Sequence, residues 1–323
     1  MVVFSAFLRG ITGLPVSRVN KNLLLFLPRH SSSNTAEAPI FEKTEFIRMH
    51  AYLNNRFVQG SEAVLHVSDL SLQRAYGLFD FFRTVKGKPL FMEQHLQRFY
   101  NSAAAMHLEV PHTKEELTAI ILQLIKEAAL EQAGVRLLLT GGYSADGYHT
   151  AAPNLVITCN PVHTSTQEQF EKGFSVITYE HQRELPHIKS INYLMAVWLH
   201  PLLKEKQADD VLYHHNNIIT EFPRANVFVV TKENKLITPA QNMLHGITRR
   251  FVLQQAASFM EVEERTVLVE EVYDAAEVFL TSTTKRVMPV LKIDDTYIGN
   301  GRPGSVTRDL YHRFVELEQQ FTA

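Results

Sequence analysis

A chain of 323 residues, 45% hydrophobic and 20% charged, can bury one large core or two moderate ones, and domain-size statistics favour two. Its 32 basic residues against 34 acidic leave a formal charge of −2, which offers no global field to nucleic acid or an anionic membrane. The single cysteine, Cys159, excludes an internal disulfide and a zinc ribbon and suits a reducing compartment, and apolar runs such as 23–27 and 120–125 fall far short of the ~20 residues of a membrane span.

The first 48 residues stand apart. Arg9, Arg18, Lys21 and Arg29 precede any acid, the first being Glu37, and Ser31 to Thr35 reads as loop. Basic, serine-containing and acid-poor is the composition of an organellar transit peptide. No amphipathic arginine-rich helix accompanies it, so the favoured expectation is an unstructured extension or an upstream start, with the folded part beginning at Met49 and a cytoplasmic location.

From Ala51 to Val58 the apolar alternation of a hairpin turns at Asn54-Asn55, and Phe79 to Val85 with Pro89 to Phe91 flank a second turn at Lys86-Gly87-Lys88. Thr113-Lys114-Glu115-Glu116 is a capping box, and Leu117, Ile120, Ile121, Leu124, Ile125 and Ala128 follow at helical spacing. Val135 to Leu139 and Leu155 to Cys159 read as strands that close a first unit. The polar segment 160–172, carrying Pro161, is the linker candidate. Beyond it, strands near 176–178 and 226–230 alternate with helices near 191–206, 248–259 and 305–318. The expectation is a small N-terminal α+β domain over 49–160 and a larger C-terminal domain over 161–323, of α+β and α/β character and without one long parallel winding.

The chemistry-bearing motifs come in a fixed order: His95-Leu96-Gln97-Arg98, then Lys189-Ser190-Ile191-Asn192-Tyr193, then Thr220-Glu221 with Asn226-Val227-Phe228, then Gly246-Ile247-Thr248-Arg249. Together they resemble the fold type IV (class IV) pyridoxal-phosphate-dependent aminotransferases, a family of branched-chain and D-amino acid aminotransferases and aminodeoxychorismate lyases. The resemblance runs from about Met49 to Tyr311 and implies a two-domain homodimer with pyridoxal 5′-phosphate between the domains.

Composition alone singles out no lysine; the resemblance makes Lys189 the catalytic one. A lysine in a low-polarity pocket loses its proton and attacks an aldehyde. Tyr193 would bond the cofactor's phenolic oxygen. Glu221 would keep the ring nitrogen protonated by charge pairing. Arg98, the backbone N–H groups of Ile247 and Thr248 at a helix start, and Thr283 would hold the phosphate. For the substrate, the resemblance points to the strand from Tyr76 to Arg83, with Asp80 where the family has glutamate, and to Arg136. Phe222-Pro223-Arg224 departs from the family's small glycine or serine run, which places Arg224 as a further candidate for a substrate carboxylate.

The implied reaction moves the amino group of an apolar, branched-chain-like amino acid to 2-oxoglutarate. The shared motifs leave open a β-elimination as in aminodeoxychorismate lyase, D- rather than L-amino acids, and a degenerate binding protein. Two decoys fail. Gly299 to Gly304 satisfies GxGxxG but lies too near the C-terminus for a βαβ unit, and fifteen histidines include no HExxH, while the adjacent His214 and His215 point apart, so no metal is expected.

Overall fold

The computed structural model describes residues 50–322, so the expected extension over 1–48 lies outside the described residues. The first hairpin joins β1 (His50–Leu53) to β2 (Arg56–Gln59), and Asn54 and Asn55 turn it at φ 41° and 67°, a left-handed conformation that asparagine tolerates. β3 (Gly77–Val85) and β4 (Lys88–Pro89) form the second hairpin, and β5 (Ala133–Thr140) and β6 (Leu155–Pro161) complete a six-stranded antiparallel sheet in the order β2-β1-β6-β5-β3-β4.

Two helices pack on this sheet, α1 (Met92–Ala105) and α2 (Lys114–Ala128). The capping box works as the sequence predicts: the Thr113 hydroxyl accepts from the Glu116 N–H, and the Glu116 carboxylate accepts from the Thr113 N–H. Leu117, Ile121, Leu124 and Ile125 are the buried stripe of α2 and share a core with Phe82, Leu96 and Phe99.

The segment 160–172 is only partly a linker, because it holds a short helix, α3 (Gln167–Lys172). Thr166 and Gln169 make a second capping box there, and Phe170 is wholly buried. The polarity of the segment masked one anchoring phenylalanine.

The second sheet has nine strands: β7 (Phe174–Glu180), β8 (Asp210–His215), β9 (Ile218–Ile219), β10 (Asn226–Val230), β11 (Leu236–Pro239), β12 (Val262–Arg265), β13 (Glu277–Ser282), β14 (Arg286–Ile293) and β15 (Thr296–Tyr297). Their order is β12-β11-β10-β13-β14-β7-β8-β9, with β15 beside β14. It is mixed: β7 runs parallel to β14 and β8, and β11 parallel to β12. Alternation along β10 sends Val227 and Val229 into one core and Phe228 and Val230 into another, so both faces are covered.

Helix expected over 191–206 is split at Leu199 into α4 (Leu194–Trp198) and α5 (His200–Lys206), with Pro201 in the first turn of α5. Then come α6 (Ile247–Ala256) and α7 (Ser305–Thr322). The GxGxxG run opens α7, where the Glu277 carboxylate accepts the N–H groups of Val306 and Thr307 and so fills the place a dinucleotide phosphate would need. Antiparallel and mixed sheets with interspersed helices make this an α+β fold. The described residues belong to one compact unit. Arg83 of β3 ties the two sheets, donating from Nε to the Thr283 carbonyl at 3.1 Å and pairing with Glu318 of α7, which also takes Arg286 Nε at 2.9 Å.

Candidate active site

Lys189 lies in the loop that leaves β7, and the first sheet grips its backbone. The Phe79 N–H donates to the Lys189 carbonyl at 2.9 Å, and the Ile191 N–H donates to the Gly77 carbonyl at 3.1 Å. The close approach requires glycine at 77, where a Cβ would stand 2.8 Å from the Leu139 carbonyl and 3.1 Å from Ile191 Cδ1. The amine of Lys189 sits 4.5 Å from the centre of the Phe79 ring. Burial, reinforced by the nearby Arg98 and only partly offset by Asp80, pushes the Lys189 ammonium down to about 7. A lysine in that state is divided between ammonium and uncharged amine in neutral solution.

Arg98 and His95 sit three residues apart on α1 and therefore share a face. Both converge on Asp80 of β3, which is 1% exposed. Arg98 Nε and Nη2 donate to the two carboxylate oxygens at 2.9 and 2.8 Å, and His95 Nδ1 lies 2.7 Å from Oδ1. Burial works against the Asp80 charge, yet Arg98 and His95 outweigh it and hold the carboxyl well below the usual carboxylate range. Asp80, which the sequence placed only in a pocket-lining strand, is thus the anchor of Arg98.

Glu221 follows β9 and is 5% exposed. Its Oε1 accepts from Arg183 Nε at 2.8 Å and its Oε2 from the Leu244 N–H at 3.0 Å. Burial pushes the Glu221 carboxyl up, and Arg183 and the Leu244 amide oppose that shift. Arg183 also donates to the Ile188 carbonyl at 3.0 Å and the Pro186 carbonyl at 2.5 Å, which lashes the lysine loop to Glu221. Sequence reasoning missed Arg183, and no motif marks it: it is one charge in a loop until tertiary contacts bring that loop back over the site.

The start of α6 supplies free donors. Gly246 makes no side-chain cap, so the first N–H groups, including those of Ile247 and Thr248, are left for another acceptor. Asn226 Nδ2 holds this turn by donating to the Leu244 carbonyl at 2.7 Å, and a Cβ at 246 would collide with the Asn226 side chain. Facing the turn, Thr281 Oγ1 is buried with no hydrogen-bond partner among the described residues.

One cleft of about 50 Å³ gathers Arg98, Lys189, Tyr193, Glu221, Ile247, Thr248, Thr283 and Arg224, with Arg183 and Thr281. Burial raises the Tyr193 hydroxyl above its ordinary value. A cavity of about 430 Å³ adjoins it through Lys189, Tyr193, Arg224 and Thr283 and adds Phe79, Phe81, Ile191, Arg136 and Lys285. Arg136 lies over the rings of Phe79 and Phe81, at 4.9 and 5.8 Å. Arg224 tips the tight turn closed by the Phe222 N–H donating to the Ala225 carbonyl at 2.9 Å, while Phe222 is wholly buried beneath it. Tyr76 does not line the cleft around Lys189: its hydroxyl donates to the Met106 carbonyl at 2.6 Å, and it lines a further cavity of about 250 Å³ that shares Arg183, Tyr193 and Pro223 with that cleft. Among the described residues no cluster of three or more His, Cys, Asp or Glu is arranged to hold a metal ion, and no helix is long and apolar enough to cross a membrane.

Residues 77–293 match the family model of amino-transferase class IV. A D-alanine aminotransferase of Listeria monocytogenes serotype 4b is 30% identical over 284 residues, covering 83% of this chain and 96% of that one. A putative branched-chain-amino-acid aminotransferase of Methanocaldococcus jannaschii is 28% identical over 282 residues, covering 84% and 98%. Among solved structures, the Escherichia coli branched-chain amino acid aminotransferase superposes with a TM-score of 0.78 at 24% identity over 83% of this chain and 94% of that one. The branched-chain aminotransferase of the thermophilic archaeon Thermoproteus uzoniensis, solved with norvaline, does so with 0.76 at 21% identity over 84% and 95%. With the family match extending over most of the described residues, the chain belongs to the class IV aminotransferases, whose cofactor is pyridoxal 5′-phosphate.

Proposed function

We propose that this protein transfers the amino group of an apolar amino acid to a 2-oxo acid such as 2-oxoglutarate, with Lys189 as the proton-moving group. The observation that carries the reading is a lysine amine with a pKa lowered to about 7, standing on the wall shared by the Glu221 cleft and the 430 Å³ cavity. The residues present fit the cofactor. An uncapped helix start, an unpartnered Thr281 hydroxyl and the anchored Arg98 offer donors to a phosphate, and a buried carboxylate lies across the cleft from them.

When bound, pyridoxal phosphate supplies an aldehyde that takes up an amino group and a ring that stores the electron pair released at the substrate's α-carbon. Arg98, the N–H groups of Ile247 and Thr248, and Thr283 would hold its phosphate, Tyr193 would bond its phenolic oxygen, and Glu221, kept in place by Arg183, would pair with its ring nitrogen. Lys189 Nζ, uncharged above about pH 7, takes the proton from the substrate's Cα. Arg224 reads the α-carboxylate, with Arg136 on the facing wall. Phe79, Phe81 and Ile191 give the cavity its apolar side. Residues 49–160 and 161–323 act as the small and large domains. Two copies pair in solution, burying the apolar Leu194, Val197 and Trp198 of α4, all of which are more than half exposed here.

A second reading, transfer from D-amino acids, is favoured by the 30% identical D-alanine aminotransferase. The test is direct. Protein incubated with pyridoxal phosphate, reduced with borohydride and digested should carry the label on the Lys189 peptide, and a panel of L- and D-amino acids with 2-oxoglutarate should show which donors are used. Label on another lysine, or pyruvate release from aminodeoxychorismate in place of transfer, overturns the reading; turnover of D-alanine but not L-leucine selects the second one.

A further inference from the structure

Lys285 is a cation that the cofactor cleft does not use. It follows β13 in the turn Thr283-Thr284-Lys285 and lines the 430 Å³ cavity beside Arg224, with its side chain 18% exposed. Its one hydrogen bond is long, 3.4 Å to Asp210 Oδ2, and its ammonium lies 5.1 Å from the centre of the Phe174 ring. An ammonium has three donors, so two remain for whatever enters the cavity. Asp210 does not itself line that space, and its other oxygen already accepts from the Val211 N–H.

The charge of the cavity is one-sided. Its lining holds Arg136, Arg224, Lys285 and the amine of Lys189, and no carboxylate. Arg136 and Arg224 make no hydrogen bond or ion pair with any described residue, although both are exposed enough to be hydrated. Burial, followed by the neighbouring Arg224, lowers the Lys285 ammonium, and Asp210 opposes that shift. A substrate with one carboxylate leaves most of this positive charge uncompensated; a substrate with two compensates more of it, one carboxylate at Arg224 and the other at Lys285.

We propose that Lys285 reads the second carboxylate of a dicarboxylic substrate, an acidic amino acid and its 2-oxo acid, while Arg224 takes the α-carboxylate. The inference rests on the aminotransferase reading above and gives it a specificity-determining residue. The apolar donor meets Phe79 and Phe81, and the dicarboxylic acceptor meets Lys285, in one cavity used alternately.

The test uses holoenzyme and two readouts. In steady state, the ratio of KM for 2-oxoglutarate to KM for pyruvate should rise about ten- to a hundredfold in Lys285→Met and return towards the wild-type ratio in Lys285→Arg, as the loss and restoration of a charged hydrogen bond predict. By calorimetry, the affinity for the unreactive dicarboxylate glutarate should fall by a similar factor relative to that for pentanoate. If both oxo acids lose affinity equally, or neither does, Lys285 serves only its ion pair with Asp210 and the proposal is overturned. Should Lys285→Met leave Asp210 unpaired and fail to fold, Lys285→Met/Asp210→Asn removes both charges and is read the same way. Glutarate binding that depends on Lys285 in a protein with no transamination of any oxo acid would sustain this proposal and sink the aminotransferase reading; intact transamination with glutarate binding indifferent to Lys285 would do the reverse.

Discussion

The two adjoining spaces around Lys189 treat charge in opposite ways. In the cleft that holds Glu221, the charges it does not share with the neighbouring cavity are paired before anything binds: Arg98 to Asp80, and Glu221 to Arg183 and the Leu244 amide. In the 430 Å³ cavity Arg136 and Arg224 have no such partner among the described residues, and Lys285 has only a long one. A resident group needs donors already fixed in place, because motion in the cradle would weaken every bond to it. A substrate that must enter and leave is better met by charges that water satisfies until it arrives. The paired region should therefore govern stability, and the unpaired region should govern KM.

The largest effect belongs to the residue on the wall between the two. Lys189→Ala should lower turnover by about 10²–10⁴-fold, the usual contribution of a positioned acid–base group, with the fold retained by circular dichroism. Residual activity near wild type would remove Lys189 from the chemistry and leave the contrast without its hinge.

Next comes the anchor. Asp80→Ala strands Arg98 and His95 in a buried site and should cost about 3–5 kcal/mol in denaturant unfolding, together with weaker retention of pyridoxal phosphate on dialysis. The carboxyl of Asp80 is held below its ordinary value in the folded protein, so its contribution is present above about pH 4 and is lost as pH falls through the folded value. Unchanged stability in Asp80→Ala would show that the cleft is not preorganised as its geometry indicates.

Arg224→Ala is the counterpart on the unpaired side. It should change unfolding stability by no more than about 0.5 kcal/mol, yet raise KM for amino acid and oxo acid by about ten- to a hundredfold. Arg136→Ala is its match. A large KM rise in Arg136→Ala with none in Arg224→Ala would hand the α-carboxylate to Arg136 and make Arg224 a surface residue.

The smallest effect is a slope. Between about pH 7 and 10.5 the folded protein holds Lys189 uncharged, whereas the unfolded chain keeps it protonated. The unfolded state then binds more protons, so this residue makes the apoprotein more stable as pH rises across that window. Stability curves of wild type and Lys189→Met, compared from about pH 6.5 to 9, should diverge in that direction; parallel curves would mean an ordinary, solvated lysine.

How much of this was written in the chain differs from residue to residue. The first helix-and-hairpin elements were legible because local signals agree: Asn54-Asn55 turns, Thr113 caps, and Leu117 to Ala128 repeat at helical period. Lys189, Glu221, Arg98 and Gly246 to Thr248 were legible as an ordered series of motifs, and they do meet in one cleft. The short helix at 167–172 was not, because six residues carry too little periodicity to outweigh a polar, proline-containing context. Tyr76 was read toward the substrate from its strand; its hydroxyl bonds the Met106 carbonyl, and the cavity it lines shares Arg183 and Tyr193 with the cleft.

What the sequence determined by itself is the set of local segments and the identity of the groups that carry chemistry, since these depend on neighbours a few residues away. What only the tertiary structure decided is which charges are compensated. Asp80 becomes the anchor of Arg98, and Arg183 the partner of Glu221, through contacts between separate elements of the chain. Lys285 joins the wall of a cavity far along the sequence from Lys189 for the same reason. The strength of a charge depends on its burial and on opposite charges within a few ångströms, and those are properties of packing that no local spacing encodes.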